Sequence, residues 1–147
     1  MTAYREVAPG IDAWSTEKGE IRIWSPGQGM VASRVRGYVD RRLLVHFIEP
    51  ITRILATGHR FRAFHDWEGI TGYDSDVRLR IATWGARFTR QIDRITILVT
   101  TDSSLLRMAI SVTNVVLGGT VEMTYDRKRF EEAYEEATMQ LWNPGPE

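Results

Sequence analysis

One short stretch of the chain gathers side chains that could take part in chemistry. His65, Asp66 and Glu68 lie within four residues of one another, and Asp74 and Asp76 follow shortly afterwards. An imidazole close to several carboxylates can exchange protons or bind a small ligand. These residues come near the carboxyl end of a predicted strand, where open α/β sheets tend to hold ligands. One function that the stretch indicates is therefore that of a small-ligand-binding protein or minor enzyme with a pocket near His65, Asp66 and Glu68.

The same stretch lacks the pairings that catalysis or metal binding requires. Alternation along a strand places His65 and Asp66 on opposite faces. No second histidine stands at metal-ligand spacing from His65, and no nucleophile is paired with a base in the sequence. We therefore predict no catalytic residue, no metal ion and no cofactor. Loop hydrogen bonding by Asp66 and Glu68 is the alternative to a ligand site.

Ser75 stands between two aspartates at the predicted start of a helix. Backbone N–H groups and the helix dipole stabilise a phosphoryl group at this position, which makes Ser75 a candidate for phosphorylation. Asp74 and Asp76 would repel that phosphate. A helix cap formed by Asp74 or Ser75 is the alternative interpretation.

Trp67 is a large aromatic residue between two acidic ones. It either covers the edge of the sheet or anchors an interface with a partner, and the sequence does not separate these alternatives. In the second case the contact surface would be the segment around Trp67 and the following helix start. Its candidate residues are Asp66, Trp67, Glu68, Tyr73, Asp74 and Asp76.

Hydrophobic patterning predicts the elements that position these residues. Residues 20–24 and 30–39 alternate on either side of a Pro-Gly-Gln-Gly cluster, which indicates an antiparallel hairpin. Helices and strands then alternate along the chain, as crossover connections on a parallel sheet require. The later strands are predicted at 59–67, 94–100 and 120–125, and the helices are predicted to begin at Asp40, Asp74, Asp102 and Asp126.

This order of elements, with Asp74 and Ser75 opening the helix that follows a buried strand, resembles the STAS domain, the SpoIIAA-like fold of anti-sigma-factor antagonists. The resemblance implies an α/β domain with a mixed sheet of about five strands, mostly parallel, and about four helices. The domain would run over residues 19–142, after a lead-in at 1–18 and before a tail at 143–147.

The resemblance also implies a function. In such proteins a partner kinase phosphorylates the serine at this position and thereby switches partner binding. For this chain it implies a non-catalytic, regulatory protein-interaction module with Ser75 as the switch. The partner would be a kinase or an anti-sigma-like regulator.

Composition limits the remaining classes of function. The chain has 147 residues, 43% of them hydrophobic, which suits one domain with its own core. Nineteen basic residues balance nineteen acidic ones, so no overall field attracts nucleic acid. Without cysteine, a signal-like start or an apolar run of about 20 residues, we predict a cytoplasmic protein with no membrane span. The predicted third helix is apolar around most of its circumference, so its outer face would be buried against a partner, in a homodimer or over a small-molecule pocket.

Overall fold

The computed structural model describes residues 4–8, 10–100, 107–108, 110–111, 114–115 and 117–142. Seven strands form one sheet, in the order in which they occur along the chain. The strands are β1 (Tyr4–Ala8), β2 (Ile11–Ser15), β3 (Gly19–Trp24), β4 (Met30–Val39), β5 (Phe61–Tyr73), β6 (Ile92–Leu98) and β7 (Val121–Thr124). The helices with described bounds are α1 (Arg41–Leu55), α2 (Val77–Ala86) and α3 (Arg127–Trp142), and the described residues between 107 and 115 are also helical.

The pairing of the strands explains where the helices lie. Strands β1 to β4 pair antiparallel, whereas β4 to β7 pair parallel and need crossover connections between them. Because strand order follows sequence order, crossovers of one hand all pass over the same face of the sheet. Leu43 of α1, Val77 of α2 and Ile110 accordingly share one core cluster.

The last helix covers the opposite face. Phe130 and Ala137 of α3 pack in a second, smaller cluster with the strand residues Met30, Phe64 and Leu98. The predicted α/β class and the mixed sheet are confirmed. No helix in the described part of the chain combines the length and apolar character needed to cross a membrane.

Residues 1–18, predicted to be a lead-in before the domain, contain β1 and β2, so the sheet has seven strands and not the predicted five or so. Hydrophobic alternation does not reveal β2, since the side chains that contact α1 include both an aromatic and a charged residue. Trp14 stacks on His46 of α1 with 3.7 Å between the ring centroids, and Asp12 forms an ion pair with Arg53 at 3.8 Å. These contacts hold β2 against α1, and the pairing of β1 with β2 and of β2 with β3 widens the antiparallel part of the sheet.

Two predicted helix starts are confirmed by side-chain caps. Asp40 accepts a hydrogen bond from the Leu43 N–H at 2.8 Å, and Asp126 accepts one from the Lys128 N–H at 3.0 Å. Such caps satisfy N–H groups that the helix itself leaves unpaired. The predicted start of the third helix at Asp102 lies outside the described residues.

The predicted cap of α2 needs correction. Asp74 does not cap α2 with its side chain, because that carboxylate accepts hydrogen bonds from Tyr38 Oη at 2.8 Å and from the Arg41 N–H at 3.1 Å. It thus satisfies the first N–H of α1. Residue Asp76, in the N-cap position of α2, makes no side-chain capping bond.

The strand predicted to end at residue 67 continues to Tyr73. Pairing with the ten-residue strand β4 extends it, up to the pair formed by Val39 and Tyr73. Two register shifts in this ladder absorb the irregular spacing of the glycine-containing segment. Glu68, which was expected in a loop, is therefore a strand residue like Trp67.

Candidate functional site

An apolar cavity of about 110 Å³ lies on the face of the sheet that α1 and α2 cover. Its walls come from these helices, from β5, β6 and β7, and from the described residues Ile110 and Leu117. Nearly all of the lining side chains are aliphatic or aromatic. They include Phe47, Phe61, Trp84, Phe88, Ile97 and Val121.

Aromatic contacts hold the helical wall of the cavity in place. The Trp84 indole N–H on α2 donates a hydrogen bond to Thr52 Oγ1 on α1 at 2.8 Å. The Trp84 ring also meets Phe47 and Phe88 edge to face, with centroid distances of 6.2 and 5.8 Å. Because edge-to-face pairs fix ring orientation, these contacts position α2 over the cavity.

His65 is the one histidine in the cavity wall, and it belongs to a buried polar triad. Its Nδ1 lies 2.6 Å from Ser33 Oγ, and the Trp67 indole N–H donates to the same oxygen at 3.3 Å. Ser33 and His65 are cross-strand neighbours in the ladder between β4 and β5. The Trp67 ring stacks beside the imidazole with 5.3 Å between centroids.

The apolar surroundings keep His65 neutral. Burial lowers the pKa of His65 from its ordinary value near 6.5 to about 3, because the charged imidazolium would lose its hydration. Among the described residues, no group of three His, Asp or Glu side chains is placed to share a metal ion. The geometry around His65 suits hydrogen bonding to a neutral ligand better than proton transfer.

The structure separates the three residues of the predicted pocket. His65 faces the cavity, whereas the carboxylate of Asp66 lies on the opposite face and accepts two hydrogen bonds from Arg127, at 3.0 and 3.2 Å. Glu68 lies 3.8 Å from the same guanidinium, and Arg34 lies 3.8 Å from Asp66. These carboxylates hold the first residue of α3 against the sheet, and only His65 belongs to the cavity.

Trp67 and Tyr73 also belong to the cavity wall. Trp67 is 8% exposed, so its indole ring is part of the core and not a surface anchor. Of the two alternatives left open for this residue, the structure therefore places it in the packed interior.

Ser75 is exposed in the turn that precedes α2. The carboxylate of Asp76 beside it forms ion pairs with Arg80 at 2.8 Å and with Arg41 at 3.0 Å. The hydrogen bond from Arg80 is the largest cause that lowers the pKa of Asp76. Asp74 is engaged by Tyr38, as described above. Both flanking carboxylates therefore have basic or hydroxyl partners, which reduces the repulsion expected for a phosphate on Ser75.

Sequence reasoning missed Ser33, the residue that orients His65. A signal for it exists in β4, where Val31, Ser33 and Val35 occupy successive positions on one buried face. A small polar residue between two valines on such a face needs a hydrogen-bond partner. That requirement would have indicated a buried polar contact, although not with which residue.

No family model matches the chain, and no curated protein matches it. Among solved structures, it is similar to the crystal structure of an uncharacterized protein of the DUF3478 family, with a SpoIIAA-like fold, from Shewanella loihica PV-4. The TM-score is 0.63 at 16% sequence identity, and the match covers 81% of this chain and 97% of that chain. The predicted SpoIIAA-like fold is thus confirmed, and at this identity the likeness extends to the fold alone.

Proposed function

We propose that this SpoIIAA-like domain binds a small apolar molecule in the cavity beside His65. The observation that carries the proposal is the cavity of about 110 Å³, lined almost entirely by aliphatic and aromatic side chains. Protein cores are normally packed as densely as organic crystals, and an empty cavity of this size costs about 2–3 kcal/mol of stability. Engineered apolar cavities of about 150 Å³ stay dry and bind benzene.

The chemistry of the wall supports binding without turnover. No carboxylate of the described residues partners the buried histidine, because Asp66 is bound to Arg127 on the other face of the sheet. A neutral imidazole without such a partner is a poor general base. The domain would then hold or carry its ligand.

Methylcyclopentane is a suitable probe, because it is apolar, compact and transparent where tryptophan absorbs. Trp67 and Trp84 both line the cavity, so binding should change the tryptophan fluorescence and raise the melting temperature. At ten times the dissociation constant, the ligand should stabilise the fold by about 1.4 kcal/mol.

A filled cavity provides the control. The Ala63→Leu variant adds a larger side chain to the cavity wall and should remove the response, whereas Ala86→Leu adds the same volume at an exposed position of α2 and should keep it. An unchanged melting temperature of the wild-type protein at saturating hydrocarbon would contradict the proposal.

A second candidate function is a regulatory protein interaction controlled at Ser75. The exposure of Ser75 before α2, between carboxylates that already have partners, favours it. The partner would be a protein such as a kinase or an anti-sigma-like regulator. Mass spectrometry of the protein isolated from its own cells should find phosphate on Ser75, and a partner should distinguish Ser75→Asp from Ser75→Ala. Absence of both results would exclude this candidate.

A further inference from the structure

We infer that the cavity selects neutral ligands that carry a hydrogen-bond acceptor on an apolar body, and that the Nε2–H group of His65 is the donor that holds the acceptor. The ligand class is that of small ketones, esters and ethers. This inference rests on the proposed function, since it names the ligand chemistry of the same cavity.

The position of the imidazole proton follows from the hydrogen bonds of Ser33. The indole N–H of Trp67 can only donate, so Ser33 Oγ accepts that bond. The remaining contact of the hydroxyl is with His65 Nδ1 at 2.6 Å, and no other described residue bonds to it. A buried hydroxyl proton needs an acceptor, so Ser33 donates to Nδ1. A neutral histidine that accepts at Nδ1 carries its proton on Nε2.

The Nε2 atom is the polar group that this triad leaves open. No described residue forms a hydrogen bond with it, and it is not among the fully enclosed unpaired atoms of the described residues. His65 lines the cavity and turns Nδ1 towards Ser33, so we take the opposite edge of its ring, with Nε2, to face the cavity space. An unpaired N–H in an apolar wall is costly, and a ligand acceptor would satisfy it.

The chemistry of the wall also sets a limit on ligand charge. A neutral donor can stabilise a carbonyl or ether oxygen, but it supplies no positive charge for a carboxylate. Arg78 is the cationic residue of the wall, and it is exposed on the first turn of α2. The free-energy cost of moving a carboxylate out of water to His65 would therefore not be compensated by a nearby positive charge. Neutral acceptors should bind better than acids of the same shape.

Cyclopentanone and methylcyclopentane form a matched pair for the test, since they share size and shape and differ in the carbonyl oxygen. Both affinities are measured by tryptophan fluorescence for the wild-type protein and for His65→Phe, which keeps an aromatic ring beside Trp67. We expect the ratio of ketone to hydrocarbon affinity to fall about fivefold in the variant, as for the loss of one neutral hydrogen bond. Comparing ratios cancels the different solubilities of the two probes.

Ser33 is a positioning residue, and its role has a spectroscopic readout. Nitrogen NMR of histidine-labelled protein should find the proton of His65 on Nε2 in the wild type. It should find a mixture of tautomers in Ser33→Ala, with a ketone preference between those of the wild type and His65→Phe. A wild-type proton on Nδ1 would overturn the inference even if a variant failed to fold.

The outcomes separate this inference from the proposed function. If the wild type binds methylcyclopentane but the ratio of ketone to hydrocarbon affinity is unchanged in His65→Phe, the cavity binds ligands and His65 does not act as the donor. If cyclopentanecarboxylate binds more tightly than cyclopentanone, the preference for neutral ligands falls. If the wild type binds neither neutral probe, both proposals fall.

Discussion

His65 shows how one buried polar side chain couples stability to pH. The imidazole is 5% exposed, and its only described hydrogen-bond partner is a neutral serine hydroxyl. Protonating it would place a charge in an apolar core without a counter-charge. Unfolding returns the ring to water, where its pKa is near its ordinary value. The difference between the two states is a source of acid sensitivity.

We predict that the protein loses stability as the pH falls from about 6.5 towards 3. In this range the unfolded state binds a proton at position 65 that the folded state, with a His65 pKa of about 3, does not. The titration of His65 alone should therefore lower the free energy of unfolding by about 1.4 kcal/mol for each pH unit below 6. Urea unfolding between pH 5 and 7 measures this slope.

The variant His65→Phe is the control for that slope. Burial also lowers the pKa of His46, so His46 contributes to the wild-type slope with the same sign and remains in the variant. The difference between the two proteins therefore isolates His65. Equal slopes in wild type and variant would show that His65 does not titrate as inferred.

At the residue scale, the sequence predicted part of this site. Alternation placed His65 and Asp66 on opposite faces, and in the structure His65 lines the cavity whereas Asp66 bonds to Arg127. It did not predict the partnership with Ser33. That contact depends on the register between β4 and β5, two strands separated by a whole helix, and patterns within one strand carry no information about it.

At the element scale, two facing glycines shape the hairpin of β3 and β4. Gly19 and Gly37 pair across the ladder, and Gly37 has a φ of 80°. The Tyr38 N–H bonds to the Lys18 carbonyl at 2.9 Å, so the backbones approach closely here. A side chain at either glycine would collide with the opposite backbone.

We predict that Gly37→Ala is strongly destabilising. The new methyl group would meet the Lys18 carbonyl oxygen and the Gly19 backbone, in addition to the strain of a positive φ. Gly58→Ala is the matched control, because Gly58 has the same φ of 80° and open space around it. We expect Gly37→Ala to lose about 2 kcal/mol more than the control in urea unfolding. Equal losses would mean that the hairpin relaxes to admit the methyl group.

The aspartates at the helix starts show how far side-chain caps can be predicted from sequence. Asp40 and Asp126 cap the helices that they were predicted to begin, because capping is a local interaction. Asp74 has equally suitable chemistry, yet its carboxylate reaches Tyr38 and Arg41 in neighbouring elements. Tertiary contacts redirected this aspartate, and no local signal distinguishes it from a cap.

At the scale of the whole molecule, the order of elements from β3 onwards was predictable from hydrophobic period alone. Strand β2 was not, because its residues Trp14 and Asp12 contact α1, and no pattern along the strand indicates such contacts. The cavity was equally inaccessible from sequence. Its existence depends on how closely α1 and α2 pack over the sheet, and many apolar sequences would fill that space.

The strict sequential order of the seven strands has a consequence for biosynthesis. Each strand emerging from the ribosome finds its neighbour already made, so the sheet can grow by addition at one edge. The face of the sheet that α3 covers is completed last. Its residues Met30, Phe64 and Leu98 remain exposed until the 16 residues of α3 have been translated. Nascent chains that stop before α3 should therefore expose an aggregation-prone apolar surface. We expect chaperones to bind these chains.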